Sequence, residues 1–266
     1  MIPDKCVIVG SGSSIRQNLW NTPIEYLPIW KALRNKFVIT TNWSYKWIRP
    51  TVAMFSDYRF YVLEKENLDK LPLLVSKKDS FYDREPNMKG NNLYLLPPGK
   101  SFNDGSGMRN WYWGKDSWTK GFYSPQLSGL LALTFAIQTG CKNIYLLGMD
   151  WGHINGHTHF FDDTETGKIE WQGSKQTGVG FNVNGDHNTG NYNIGKSKVN
   201  NPDFWYNCYK KEKDVNIYNV SLESKITSFP KIGFKEFYQA MHSEYPAVIQ
   251  HRVRGEIREL LNRNLK

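Results

Sequence analysis

Apolar residues in this chain follow two rhythms, and the sharpest change between them lies in the stretch Ser124–Asp150, SPQLSGLLALTFAIQTGCKNIYLLGMD. Leu127, Leu130, Leu131, Leu133, Thr134, Ile137 and Gln138 recur at helical spacing behind a Ser-Pro start, and Gly140 stands where a helix stops. The run NIYLLG that follows, from Asn143 to Gly148, is short, apolar and β-rich, which predicts a strand buried on both faces. The unit reads helix, tight turn, buried strand, with Asp150 just past the strand's carboxyl end. Open α/β sheets bind ligands in the crevice beyond the strand ends, so Asp150 is either a ligand-site residue or the cap of a turn.

The strand rhythm recurs. KCVIVG (Lys5–Gly10) predicts a first buried strand running into Ser11, Gly12, Ser13 and Ser14, small residues that break it and can offer backbone N–H groups to a phosphate or carboxylate. Phe37–Thr41 predicts a second strand with Asn42 at its end, and Thr51–Phe55 a third, ending in Ser56 and Asp57. A parallel sheet would gather these polar ends in one crevice, although each residue taken singly is also an ordinary turn former. Leu71–Val75, Asn92–Leu96 and Val215–Val220 read as further strands, and Pro202–Lys213 and Lys235–Met241 as helices. Val248, Ile249, Val253, Ile257, Leu260 and Leu261 give an amphipathic terminal helix over about 247–263. The expected fold class is α/β, a single Rossmann-like domain over 1–266 with a mainly parallel sheet and helices on both faces.

Two stretches obey neither rhythm. In 101–123, Trp111, Trp113 and Trp118 are interleaved with Gly105, Gly107, Arg109 and Lys115. This reads as a lid in which Arg109, Trp111, Trp113 and Trp118 meet an acceptor by stacking, or as a small satellite core. The 151–201 stretch is rich in Gly, Asn, His, Asp and Thr, which reads as a second, polar lid.

Charge narrows the partners: a formal +9 over 266 residues favours anionic ligands such as nucleotides, nucleic acid or anionic lipid, without choosing among them. Arg252, Arg254, Arg258 and Arg263 of the terminal helix read as a solvated face. Three scattered cysteines, Cys6, Cys141 and Cys208, read as reduced packing residues and point to the cytoplasm. No apolar run approaches the roughly 20 residues of a membrane span.

Candidate chemistry concentrates in the second lid. His153, His157 and His159 lie within seven residues, with Asp162 and Asp163 close behind. Gly156 breaks any helix that would align them and no HExxH or cysteine pair accompanies them, so a proton-transfer or leaving-group role fits better than a metal site. The run GNYNIGKS, Gly190–Ser197, formally satisfies the Walker A pattern, but no buried strand precedes it and Pro202 follows shortly. Lys196 can still meet a phosphate as a point charge. The G-x-G-x-x-G fingerprint is not met after Val9, and no G-x-S-x-G or Cys-His arrangement supports a hydrolase.

The order VIVGSGSS, TTNWSYKW, VAMFSDYRF, QLSGLLALTFAIQTGCKNIYLLGMDW, a lid rich in Asp and His, and NIYNVSLESKITSFPKI resembles the bacterial lipooligosaccharide sialyltransferases and the related pterin diphosphokinase-like proteins. The resemblance runs from Lys5 to Ile232. It implies a nucleotide site lined by Gly10, Ser11, Gly12, Ser14, Asn42, Asp57, Ser128, Gly129 and Asp150. The family's turn carries Asn where this chain has Ser11, and Asp57 replaces its third-strand Asn. Two lid tyrosines that assist phosphate departure in the family correspond to His153 and His159. The family's general-base histidine falls at Lys196, so either Lys196 or His187 takes that place. The implied activity is transfer of a sugar from a CMP- or UDP-type nucleotide donor to a hydroxyl, on a glycan or a modified base in phage DNA, with no cofactor required. The alternatives are a Mg²⁺-dependent diphosphokinase using ATP, with Asp57 and Asp150 on the metal, and a non-catalytic nucleotide or nucleic-acid binding module.

Overall fold

Short apolar runs become the strands of one sheet: β1 (Lys5–Val9), β2 (Val38–Thr41), β3 (Val52–Met54), β4 (Leu74–Lys77), β5 (Leu93–Leu96), β6 (Asn143–Leu147) and β7 (Asn216–Asn219). The structure is a computed structural model and describes residues 1–16, 29–81, 92–99, 116–122, 127–151, 160, 203, 206–244 and 247–265. The sheet order is β5-β4-β3-β2-β1-β6-β7, and every neighbouring pair is parallel. Cys6, Val7, Ile8 and Val9 are all fully buried, as are Ile144, Leu146 and Leu147. Because successive strand residues point to opposite faces, burial of every one means that both faces are covered, which is why these strands are runs of Val, Ile and Leu rather than alternations.

The described helices are α1 (Ile29–Ala32), α2 (Tyr58–Leu68), α3 (Ser117–Lys120), α4 (Ser128–Gln138), α5 (Phe234–Gln239) and α6 (Gln250–Asn264). Helix α4 packs on β1, β2 and β3, and it is apolar nearly all round because only Gly129 and Gln138 escape full burial. Gly140 ends it in the left-handed region at φ 95°, where a side chain would be strained. From α5, Phe237 meets Tyr145 of β6 edge-on at 5.8 Å, and Tyr145 stacks on Tyr218 of β7. Val253, Ile257 and Leu261, spaced by four, bury one stripe of α6.

Several boundaries differ from the sequence pattern for local reasons. The strand expected over Leu71–Val75 starts at Leu74 and continues to Lys77, since Pro72 has no N–H to give to a ladder. The helix expected over Pro202–Lys213 holds at Asp203 and Tyr206 and passes into a 3₁₀ turn over Asn207–Lys211, pinned by the Tyr209 hydroxyl, which donates to the Leu130 carbonyl at 3.0 Å. The helix expected over Lys235–Met241 is α5 followed by a π turn over Ala240–Glu244. No described helix is long and apolar enough to cross a membrane.

Candidate functional site

The chain lays strands β1 to β5 outward in one direction, then returns to place β6 on the other side of β1. The reversal leaves a crevice between the carboxyl ends of β1 and β6, the usual ligand position in an open parallel sheet. Around it lie Gly10 to Ser14 after β1, Asn42 after β2, Ser56 and Asp57 after β3, Gly148 to Asp150 after β6, and the first turn of α4. All nine residues expected to line a nucleotide site are therefore gathered at one edge of the sheet: Gly10, Ser11, Gly12, Ser14, Asn42, Asp57, Ser128, Gly129 and Asp150.

Two hydrogen-bonded knots fix that edge. In the first, Asp150 accepts from the Ser14 N–H at Oδ2 (2.7 Å) and from the Ser14 hydroxyl at Oδ1 (2.6 Å), and is 3% exposed. Burial pushes its carboxyl above the ordinary carboxylate range, against the pull of the Ser14 bonds and a Ser221 hydroxyl, while the charge of Glu223 adds to the rise. Behind it the Ser224 hydroxyl bonds to the Met149 carbonyl at 3.1 Å. Asp150 thus ties the β1 turn to the β6 turn. The two oxygens that a Mg²⁺-dependent reading would place on a metal are already committed to Ser14.

The glycines of the β1 turn serve the same contact. The Gly10 and Gly12 N–H groups donate to Leu147 and Gly148 carbonyls at 2.7 and 2.8 Å. A Cβ on Gly10 would stand 2.3 Å from the Gly148 oxygen, and one on Gly12 2.3 Å from Asp150 Oδ2. The turn's donors do not all face a ligand, as the sequence suggested: those of Gly10, Gly12 and Ser14 are consumed by β6 and its turn. The N–H groups of Ser11 and Ser13 make no hydrogen bond among the described residues, and the Ser13 hydroxyl is buried without a partner.

The second knot centres on Ser128 at the start of α4. Its hydroxyl donates to Asn42 Oδ1 at 2.8 Å and accepts from the Ser56 N–H at 3.0 Å, with the Ser56 hydroxyl also at 3.0 Å. Asn42 sits at φ 48°, a region asparagine tolerates better than most residues. The Ser44 hydroxyl donates to the Gly10 carbonyl at 2.7 Å, joining the two knots. Gly129 brings α4 against Met149, whose Cε would lie 2.1 Å from an added Cβ. Asp57 is half-buried, and its carbonyl accepts the Tyr61 N–H in the first turn of α2.

One described residue of the second lid reaches the crevice: Phe160 is fully buried, donates its N–H to the Ser11 carbonyl at 3.1 Å and meets Trp47 edge-on at 5.0 Å. His153, His159, His187 and Lys196 lie outside the described residues, as do Arg109, Trp111, Trp113 and the Gly190–Ser197 run. Trp118 is described, and it packs edge-on against buried Phe122 at 4.9 Å, which favours the satellite-core reading over an acceptor surface for that residue. Sequence reasoning missed Ser44, Ser221, Ser224 and Phe160. Ser44 stands two positions past Asn42, and this closeness to a strand end was the available signal. Ser221, Ser224 and Phe160 are joined to the site only by the fold. Among the described residues no three His, Cys, Asp or Glu side chains form a metal-holding group.

Comparison with known proteins gives a likeness in chain course. Similar solved structures include a variant of the sialyltransferase CST-II in complex with CMP, at 18% identity and a TM-score of 0.48, covering 86% of each chain. Another is the sialyltransferase CstII from Campylobacter jejuni in complex with the substrate analogue CMP-3FNeuAc, at 15% and 0.44, covering 86% of this chain and 85% of that one. A third is an alpha-2,3-sialyltransferase from Campylobacter jejuni in apo form, at 16% and 0.41, covering 86% and 79%. No protein-family model matches the sequence, and no curated protein matches it. At these identities and TM-scores the likeness does not transfer an activity to this chain.

Proposed function

We propose that the chain is a glycosyltransferase that moves a sugar from a nucleotide-activated donor to a hydroxyl acceptor. The observation that carries the reading is the convergence of the β1, β2, β3 and β6 ends with the first turn of α4 at the switch point. The crevice there is edged with hydroxyl, amide and N–H groups and braced by the Asp150 clasp. Such an edge suits a ribose and phosphate, which need donors and small residues more than bulk.

In this reading the Ser11 and Ser13 N–H groups and the Asn42 side chain hold the nucleotide. The bond between the anomeric carbon and the phosphate oxygen breaks, and its electron pair leaves on the phosphate. His153, His159 and Lys196 neutralise that charge, the main electrostatic task of the step. The acceptor oxygen attacks the anomeric carbon as its proton passes to His187 or a lid carboxylate. The acceptor is a glycan hydroxyl or a modified base in phage DNA, and the site of action is the cytoplasm.

Calorimetric titration with CMP, CDP, UDP, GDP and ATP, each with and without Mg²⁺, tests the reading. Saturable binding of CMP or a nucleoside diphosphate without metal is the expected result, and binding of ATP only with Mg²⁺ would overturn it in favour of a diphosphokinase. No binding of any of them would leave a nucleic-acid binding module, whose affinity should fall steeply with salt. Once a donor is known, His159→Ala in a folded protein should lower kcat by about 10²-fold or more. Turnover near wild type would remove the leaving-group role.

A further inference from the structure

Helix α6 crosses the amino edge of the sheet, the edge opposite the crevice. Its first residue, Gln250, donates through Nε2 to the Lys36 carbonyl just before β2, at 3.2 Å, and Arg258 donates through Nη2 to the Pro72 carbonyl just before β4. Eight residues of helix span about 12 Å, close to the roughly 10 Å across two strand spacings. Gln250, Arg254 and Arg258 are spaced by four and share one stripe, so Arg254 falls midway, opposite the start of β3. There the chain enters through Arg49, and Thr51 Oγ1 bonds to the same Lys36 carbonyl at 3.2 Å.

Arg49, Arg254 and Arg258 are therefore carried to one edge of the sheet, where the charges of Arg49 and Arg258 act on Arg254. Among the described residues no carboxylate lies within ion-pair distance of Arg49, Arg254 or Arg258. Of the acids nearest in sequence, Glu259 follows Arg258 directly and is exposed, and Glu256 is paired with the Met1 amino group. Arg254 Nη1 is buried and has no hydrogen-bond partner, which is expensive for a charged donor. Burial lowers the Arg254 pKa from its ordinary value, and repulsion from Arg49 and Arg258 lowers it further.

We propose that Arg49, Arg254 and Arg258 form a binding site for one phosphate group at the amino edge of the sheet, separate from the crevice. A tetrahedral dianion supplies acceptors for the forked guanidinium donors and offsets the repulsion between them. The buried Arg254 donor selects a compact anion that seats among the three side chains. The group is borne by free phosphate or by a small phosphomonoester.

The test is calorimetric titration with inorganic phosphate and, separately, with phenyl phosphate, on the wild type, Arg254→Gln and Arg49→Gln, each with and without excess CMP. One-to-one saturation is expected, weakened about tenfold or more by either substitution and unchanged by CMP. Phosphate should also raise the melting temperature of the wild type and not that of the variants. Tighter binding of phenyl phosphate would identify the esterified source, and equal or weaker binding the free ion. Wild-type affinity in both variants, displacement of phosphate by CMP, or no saturation would each overturn the site. Arg49 is exposed, so Arg49→Gln remains informative if Arg254→Gln does not fold. Failure of CMP to bind would count against the transferase reading alone.

Discussion

Asp150 offers the most exacting test of how the crevice is built. Replacing it with alanine leaves the Ser14 N–H and hydroxyl, buried with it, without an acceptor. At about 1–3 kcal/mol for each unsatisfied buried donor, the loss should be about 2–6 kcal/mol, a large part of a typical total of about 5–15 kcal/mol. Asparagine keeps a carbonyl for the Ser14 N–H and turns its amide toward the Ser14 oxygen, while removing a charge that burial disfavours. Asp150→Asn should therefore stay within about 1 kcal/mol of wild type at neutral pH. The pH dependence separates the two effects. The folded-state pKa is raised above the unfolded value, so the native protein binds more protons in the window between them. The contribution of Asp150 to stability is then fully present below the ordinary carboxylate pKa and lost as pH rises through the raised value. Urea unfolding followed by tryptophan fluorescence across that window should show a decline in wild type that is missing in Asp150→Asn. A loss in Asp150→Asn as large as in the alanine variant, or identical pH slopes, would refute the reasoning.

Gly12→Ala should lower stability by about 1–3 kcal/mol, because its Cβ would fall 2.3 Å from the clasped Asp150 and 2.6 Å from the Gly148 oxygen; chemical denaturation measures it. Gly255→Ala, inside α6 with nothing within 4 Å of the added carbon, should raise stability by about 0.5–1 kcal/mol, and an unchanged or lower melting temperature would contradict it. Ser128→Ala breaks the bonds to Asn42 and Ser56 together and should remove about 1–3 kcal/mol. It should also weaken nucleotide binding in calorimetry, because Asn42 loses the partner that orients it.

How far the sequence could be read follows from the range of each interaction. Strands buried on both faces announce themselves as unbroken apolar runs, so β1, β2, β3, β5, β6 and β7 fall within a residue of the expected bounds at most ends. Strand β4 slipped because Leu71 and Pro72 extend the apolar run without being able to join the ladder. Strand-end polar residues could be named because a parallel sheet aligns its carboxyl ends, which made Asn42, Ser128 and Asp150 visible as a group. The roles within that group could not be read. Ser14 and Asp150 are 136 positions apart and Ser56 and Ser128 are 72 apart, and only the closed sheet joins them. The Gly-Ser turn suggested a ligand cradle, whereas the missing Cβ atoms of Gly10 and Gly12 are explained by the approach of the β6 turn.

The two edges of the sheet divide the chemistry of the chain between them. Around the crevice the described residues are glycines, serines, Asn42, Met149, Asp57 and Asp150, with Arg16 the one cation in the β1 turn, while Lys46 and Lys77 farther along the carboxyl edge are paired with Glu64 and Asp79. A nucleotide there would be met by N–H and hydroxyl dipoles, and the charge that leaves with its phosphate would need cations from outside that edge, which is the part assigned to His153, His159 and Lys196. The formal +9 is therefore not explained by the described crevice. Part of it stands at the amino edge, where no acid among the described residues pairs with Arg49, Arg254 or Arg258. Like charges left together in a fold that could have paired them are opposed by repulsion and desolvation. An anion seated among them relieves both penalties, and the same substitution that removes its binding should relieve the repulsion in its absence.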